Sequence, residues 1–253
     1  MIDLHSHILP ALDDGARDID GALAIARAAV ADGVRAIAAT PHVRRDYPTS
    51  PKDMQAALER VREAVAGEQL EIDVLPGGEV ALAEAATLDE ETLRGFGLGG
   101  NRDVLLVETP YTGWPLAFGD VIVRLRGFGI TPVLAHPERN REVQNDVSRL
   151  ERLVTAGALV QVTAASLDGR LGRGVRACAQ RLLELELVHL LASDAHAPEL
   201  REAGLSRARD TVGGALGRWL TDDVPAAIVA GRRLSRRPQP EPKRGLFARR
   251  RGR

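Results

Sequence analysis

Seven short apolar segments, most of them followed by an amphipathic stretch, constrain this chain more than any other feature. They run over Ile2–Leu4, Arg35–Ala39, Ile72–Leu75, Val104–Val107, Pro132–Ala135, Leu159–Val162 and Val188–Ala192. Helical spacing of apolar residues fills the gaps at 18–33, 50–67, 115–128, 147–156, 173–185, 198–216 and 224–230. Ser50 sits where an N-cap is wanted, Pro51 suits a first helical turn, and Gly33 suits a C-terminal stop. Short strands alternating with helices predict a parallel sheet with right-handed crossovers. Seven repeats in 253 residues predict an α/β fold closed as a (β/α) barrel. The connection Leu82–Asp103, with "RGFGLGGNRD", reads as an irregular excursion. No linker interrupts residues 1–231, so they are read as a single domain.

Charge changes abruptly after that. From Gly231 to Arg253 there are ten basic residues against one acid, Glu241, while the rest of the chain is acidic in balance. Pro238, Pro240 and Pro242 oppose a regular helix, so 232–253 reads as a disordered basic tail. Such a tail either contacts anionic lipid or an acidic partner, or is only solvated. No apolar run reaches membrane-spanning length, and "MIDLHSHILP" lacks the marks of a signal peptide. The one cysteine, Cys178, suits a reducing cytoplasm.

In a barrel of this kind, chemistry collects beyond the C-terminal ends of the strands. The first strand delivers His5 and His7, which a two-residue period points to one side, and then Asp14. "AATPH" delivers His42, "LPGGE" Glu79, "LLVE" Glu108, "LAHPERN" His136 and Arg139, and "LASDAH" Asp194 and His196. Five of the six histidines fall at these ends; the sixth, His189, lies inside a strand and reads as an ordinary core or surface residue. Five imidazoles and four carboxylates exceed what one ion needs, so two or three ions with shared carboxylates are expected. Nitrogen and oxygen donors without thiolate favour manganese, zinc or iron. Divalent ions of this kind lower the pKa of water and steady the oxygens of a displacement, which is the chemistry of phosphoester hydrolysis. Arg139 and Arg201 lie near the cluster and match phosphate oxygens in shape and charge, with a structural ion pair as the other reading of each.

Other chemistries are poorly supported. Position 184 is Glu where a cysteine-based phosphatase loop would carry arginine, so Cys178 is read as a buried small hydrophobe. "GLGG" has no following Lys and Ser/Thr to cradle phosphates. Aromatics at 3% provide no stacking platform for single-stranded nucleic acid.

"DLHSH", "DDG", "TPH", "PGGE", "LAHPERN" and "SDAH", in that order, resemble the polymerase-and-histidinol-phosphatase (PHP) superfamily. Within it, "MIDLHSHILPALDDGARD" and "AHPERN" look like the manganese-dependent protein-tyrosine phosphatases of the CpsB/CapC type, from bacterial capsule and exopolysaccharide synthesis. The resemblance implies a distorted seven-stranded barrel with three ions. One would be held by His5, His7, Glu79 and Asp194, a second by Glu79, Glu108 and His136, and a third by Asp14, His42 and His196. Arg139, Arg201 and the ligand Asp14 would form the catalytic set. The implied substrate is phosphotyrosine on a bacterial tyrosine kinase that controls polysaccharide length and export. Thr163 and Ala165 stand where the family pattern has asparagine and glycine. Two other readings compete: a small-molecule phosphoesterase such as histidinol-phosphate phosphatase, and a regulatory binding module with a low-activity metal site. Val43, Tyr47, Pro48, Tyr111 and Trp114, beside Arg44 and Arg45, are expected to give the mouth an apolar, basic character suited to an acidic phosphopeptide.

Overall fold

The computed structural model describes residues 1–197 and 204–239. Ten strands occur in it: β1 (Ile2–Ser6), β2 (Ala36–Ala39), β3 (His42–Arg44), β4 (Tyr47–Pro48), β5 (Asp73–Leu75), β6 (Glu79–Ala81), β7 (Val104–Glu108), β8 (Thr131–Ala135), β9 (Leu159–Thr163) and β10 (Leu190–Ala192). All seven expected strands are among them. The helices α1 (Ile19–Ala31), α2 (Pro51–Gly67), α3 (Leu82–Thr87), α4 (Glu90–Gly95) and α5 (Phe118–Gly127) lie in the first half. Asp18 caps α1 by accepting from the Gly21 amide at 2.8 Å. Ser50 and Asp53 form a reciprocal capping box at α2, with Pro51 in its first turn.

Strand pairing divides into two sheets. β1, β2 and β5 make one of three strands, and β10–β9–β8–β7–β6–β3–β4 make one of seven. Every pairing is parallel except the hairpin of β3 with β4. The expected single ring of seven strands is therefore not what the ladders form. Two proline breaks account for the division. Thr40-Pro41 separates β2 from β3, and Pro76-Gly77-Gly78 separates β5 from β6. Proline has no N–H to give a ladder, and the pairing resumes in the other sheet, where Glu79 N–H donates to Pro41 O at 3.0 Å at the start of the β3–β6 ladder. At the other edge, His7 N–H to Ala195 O (2.8 Å) and Asp194 N–H to His5 O (2.9 Å) tie β1 to the segment after β10. The result is a mixed α/β domain on parallel strands, with one apolar core between sheet and helices.

The segment 82–103 is not irregular throughout. It holds α3 and α4, the latter capped by Asp89 accepting from the Thr92 amide at 3.0 Å. The tight turn after α4 needs glycine, because a Cβ on Gly97 would lie 2.5 Å from the Asn101 carbonyl oxygen. Short helices also occur at Arg141–Asn145 and Ala164–Asp168. The expected helix 198–216 lies partly outside the described residues; the rest is Ser206–Val212 and Gly214–Arg218, divided at Gly213 with φ of 75°. Residues placed in the basic tail by sequence hold onto the domain. The Trp219 indole donates to Ser235 Oγ at 2.9 Å, and Arg237 donates to the Val188 carbonyl at 2.6 Å. Among the described residues no helix is long and apolar enough to cross a membrane.

Candidate metal centre

His5 and His7 alternate along and just past β1, so their rings reach the same buried point. Each ring is fixed through Nδ1: His5 by Gln161 Oε1 at 3.0 Å, and His7 by Asp13 Oδ2 at 2.6 Å. Both Nε2 atoms are thereby turned inward, and they lie 3.2 Å apart. Carboxylates that orient imidazoles in this way are a recurrent support of metal sites. Asp13 also accepts from the His42 amide at 2.9 Å, fixing the turn that presents the third histidine.

Glu79, at the start of β6, lies at the middle of the cluster and is fully buried. Its Oε1 is 2.8 Å from His136 Nε2. Its Oε2 has no hydrogen-bond partner, yet faces His5 Nε2 at 3.3 Å, His7 Nε2 at 3.4 Å and His42 Nδ1 at 3.0 Å. Asp194 Oδ1 approaches His5 and His7 Nε2 at 3.4 and 3.3 Å. Asp14 is 3.5 Å from His42 and 3.3 Å from His196, and at 45% side-chain exposure it marks the solvent side. His136 and Asp194 both adopt left-handed backbone, with φ of 37° and 54°. Such strain in non-glycine residues collects at functional sites.

Four sets of ligand atoms converge within 4.8 Å: His7, Asp14, His42 and His196; His5, Glu79 and His136; His5, His7 and Asp194; and His42, Glu79 and Glu108. All nine candidate ligands read from the sequence are in these sets. Two imidazole nitrogens facing each other, beside a buried carboxylate oxygen without a hydrogen-bond partner, make a setting that a bound cation would satisfy. The donors are nitrogen and oxygen only, so the residues fit divalent ions of the manganese, zinc or iron type.

Electrostatics point the same way. Burial disfavours the charged forms of Glu79 and Asp194, but neighbouring histidines, with Arg139 for Asp194, hold both carboxyls well below the usual range. For His7 burial acts downward, and Asp13 and the inner carboxylates overcome it to raise the imidazolium well above its ordinary value. Burial, reinforced by Glu79, pushes Glu108 up to about 7. The ion-free cluster thus holds protons, which a cation binding there would displace.

Arg139 is nearly buried against the cluster. Nη1 pairs with Asp194 Oδ2 at 2.6 Å, Nη2 donates to Thr163 Oγ1 at 2.8 Å, and Tyr111 OH lies 3.4 Å away. The ion-pair and the site readings of Arg139 therefore coincide: its structural partner is itself a candidate ligand. Its neighbours in "HPERN" hold the frame. Glu138 Oε1 accepts from the Thr163 amide (2.9 Å) and Ser166 Oγ (2.6 Å), and Asn140 Nδ2 donates to the carbonyls of Pro110 (2.6 Å) and Gly113 (2.9 Å). Arg201 lies outside the described residues. Arg44 reaches Glu108 Oε1 at 3.4 Å.

Some expectations fail and others were missed. Val43, expected at the mouth, is buried in the core. Tyr47 and Tyr111 do flank the site, stacked on His42 and His136 with centroids 5.8 and 5.6 Å apart. Trp114 instead packs on Phe118 at 4.8 Å. His189 is away from the cluster and accepts from the Val160 amide through Nδ1 at 3.2 Å. Burial pushes the Cys178 thiol up to about 12, which leaves it inert. Sequence reasoning missed Asp13 and Gln161. The doubled aspartate of "DDG" is the only signal for the first, and inward alternation in β9 the only signal for the second.

Comparison with known proteins agrees with this geometry. The tyrosine-protein phosphatase YwqE of Bacillus subtilis is 35% identical over 98% of this chain and 99% of its own length. The putative tyrosine-protein phosphatase CapC of Staphylococcus aureus is 30% identical over 78% of this chain and 77% of its own. A solved structure described among those of YwqE from Bacillus subtilis and CpsB from Streptococcus pneumoniae, unique metal-dependent tyrosine phosphatases, superposes with a TM-score of 0.85 at 33% identity, covering 96% of this chain and all of the other. A probable 2-pyrone-4,6-dicarboxylic acid hydrolase from Acinetobacter baumannii shares the fold alone, with a TM-score of 0.51 at 14% identity over 91% of this chain and 98% of that one. The family described as "Capsular polysaccharide synthesis, CpsB/CapC" matches residues 1–227, and the chain belongs to it.

Proposed function

We propose that the protein is a metal-dependent protein-tyrosine phosphatase acting on phosphotyrosine in a bacterial tyrosine kinase of capsule or exopolysaccharide synthesis. The observation that carries this is the gathering of nine His, Asp and Glu side chains into four overlapping groups of candidate ligands, with Arg139 at their edge. Relatives named tyrosine-protein phosphatases over nearly the whole chain support the substrate class. In the same reading manganese is the resident metal, and the broken sheets are a distorted seven-stranded barrel with β2–β3 and β5–β6 each counting as one strand. The buried free thiol of Cys178 suits a cytoplasmic protein.

His5, His7, Glu79 and Asp194 would hold one ion, Glu79, Glu108 and His136 a second, and Asp14, His42 and His196 a third. When bound, these ions supply hydroxide at neutral pH and neutralise phosphoryl oxygens. Asp13 and Gln161 keep the inner imidazoles in the tautomer that presents Nε2. Arg139, fixed by Thr163 and Asp194, offers its donors to the charge that grows on the phosphoryl group; the same role is assigned to Arg201 from its place in the sequence alone. A tyrosine leaving group departs as a phenol of pKa about 10, which lowers the demand for a separate acid.

The test is hydrolysis by manganese-loaded protein of a phosphotyrosine peptide, a phosphoserine peptide and histidinol phosphate, compared as kcat/KM at one pH. Preference for phosphotyrosine is expected. Equal or better turnover of histidinol phosphate would reassign the substrate, and no turnover of any would favour a regulatory module.

A further inference from the structure

A groove of 460 Å³ opens directly on the ligand cluster. Its inner end is Glu108, with Arg44 beside it; its walls include Ala83 and Ala86 of α3, Tyr111, and Val121 of α5. We infer that this groove is the slot for the aromatic ring of the substrate, and that Ala83 and Ala86 set the preference for aryl over alkyl phosphates. The inference rests on the function proposed above and assigns to it the residues that discriminate.

Position decides the occupant. A phosphoryl group at the metal ligands leaves its ester oxygen at their border, and in phosphotyrosine the ring follows after one bond. The first space beyond Glu108 on this side is apolar-walled. Its volume is ample, since a cavity of about 150 Å³ accepts a benzene ring. Tyr111 adds an aromatic wall of fixed orientation. Its ring lies 6° from parallel with His136, and its hydroxyl is near Arg139. Rings prefer such offset aromatic neighbours. Charge lies only at the inner end, where Arg44 pairs with Glu108, matching an anionic head on an apolar body. The alanines make the room. Both are exposed on α3, so larger side chains there would project into the groove without disturbing the core.

Ala83→Leu and Ala86→Phe test this in the full-length, manganese-loaded protein. Phenyl phosphate is the probe, since it has the ring and no peptide, and inorganic phosphate as competitive inhibitor reports the metal end alone. The expected result is a KM for phenyl phosphate raised at least about tenfold in Ala86→Phe, with phosphate inhibition and manganese content unchanged. Unchanged KM in both variants would overturn the slot. So would a loss confined to phosphotyrosine peptides with phenyl phosphate unaffected, because the groove would then hold a neighbouring side chain. Wild-type protein that hydrolyses neither substrate would overturn the phosphatase reading, and the slot with it.

Discussion

At the scale of single residues, the site depends on side chains that touch no substrate. Asp13 orients His7 through a 2.6 Å contact and holds the His42 amide. Asp13→Ala frees one ring and loosens the turn of another, so manganese affinity should fall about 10- to 100-fold, the usual cost of removing such a support. Titration of metal-free protein measures it, and an unchanged affinity would show that packing alone aims His7. Arg139→Ala should cost about 2–4 kcal/mol in kcat/KM with ions retained. Kinetics paired with elemental analysis separates that from metal loss. The clustering of the nine candidate ligands was legible in the sequence because strand ends in this fold are addresses, and histidine or carboxylate at an address is readable. Asp13 and Asp14 show the limit. Adjacent in sequence, one faces the cluster and one braces it, and only the turn at Gly15, where a Cβ would meet the His7 carbonyl oxygen at 2.1 Å, decides which.

At the scale of elements, long periodic segments were legible and short ones were not. α2 carries its cap, its proline and an apolar stripe, and appears where those signals put it. α3 and α4 have six residues each, too few to show a period, and their neighbourhood to glycines made them look irregular. The proline breaks were visible as residues, but their consequence, two sheets in place of one ring, depends on which ladder bonds are lost. His189 shows how an element can be joined by a side chain. It stands just before β10 and takes the Val160 amide of β9 on Nδ1. Burial holds its pKa down to about 4, below the ordinary value near 6.5. A depressed pKa in the folded state means the unfolded chain binds the proton first. The stability contribution is therefore complete above pH 6.5 and is lost as pH falls toward 4. Between pH 7 and 5, wild type should lose roughly 1–2 kcal/mol more than His189→Gln. Urea melts of both proteins at the two pH values give the difference, and equal losses would show that His189 is solvated in the fold.

At the scale of the whole molecule, candidate ligands from both sheets meet in one cluster, so ions bound there would act as a clasp between them. Chelation should abolish activity and lower the melting temperature together, and saturating metal at about 1,000 times its Kd contributes about 4 kcal/mol. A melting temperature unmoved by chelation would mean that the sheets hold without the clasp. The charge distribution is the other molecular feature. The tail is strongly basic, while the acids lie in the rest of the chain. Its near part belongs to the domain: Arg237 sits over the Trp219 ring at 5.7 Å and donates to the carbonyls of Val188 and Leu183. A truncation at Gly231 would therefore mix two effects. A truncation after Gln239 removes six basic residues and Glu241 while leaving those contacts. The shorter chain should keep its phenyl phosphate turnover and its melting temperature. Its binding to anionic vesicles should weaken, and the difference from wild type should shrink as salt rises, because exposed charge is screened within about 10 Å at 0.1 M. Vesicle sedimentation at two salt concentrations measures this, and identical binding by both chains would mean that the far tail is only solvated. Truncation at Gly231 should in addition destabilise the fold, since the Trp219 indole loses Ser235 and two backbone carbonyls lose Arg237.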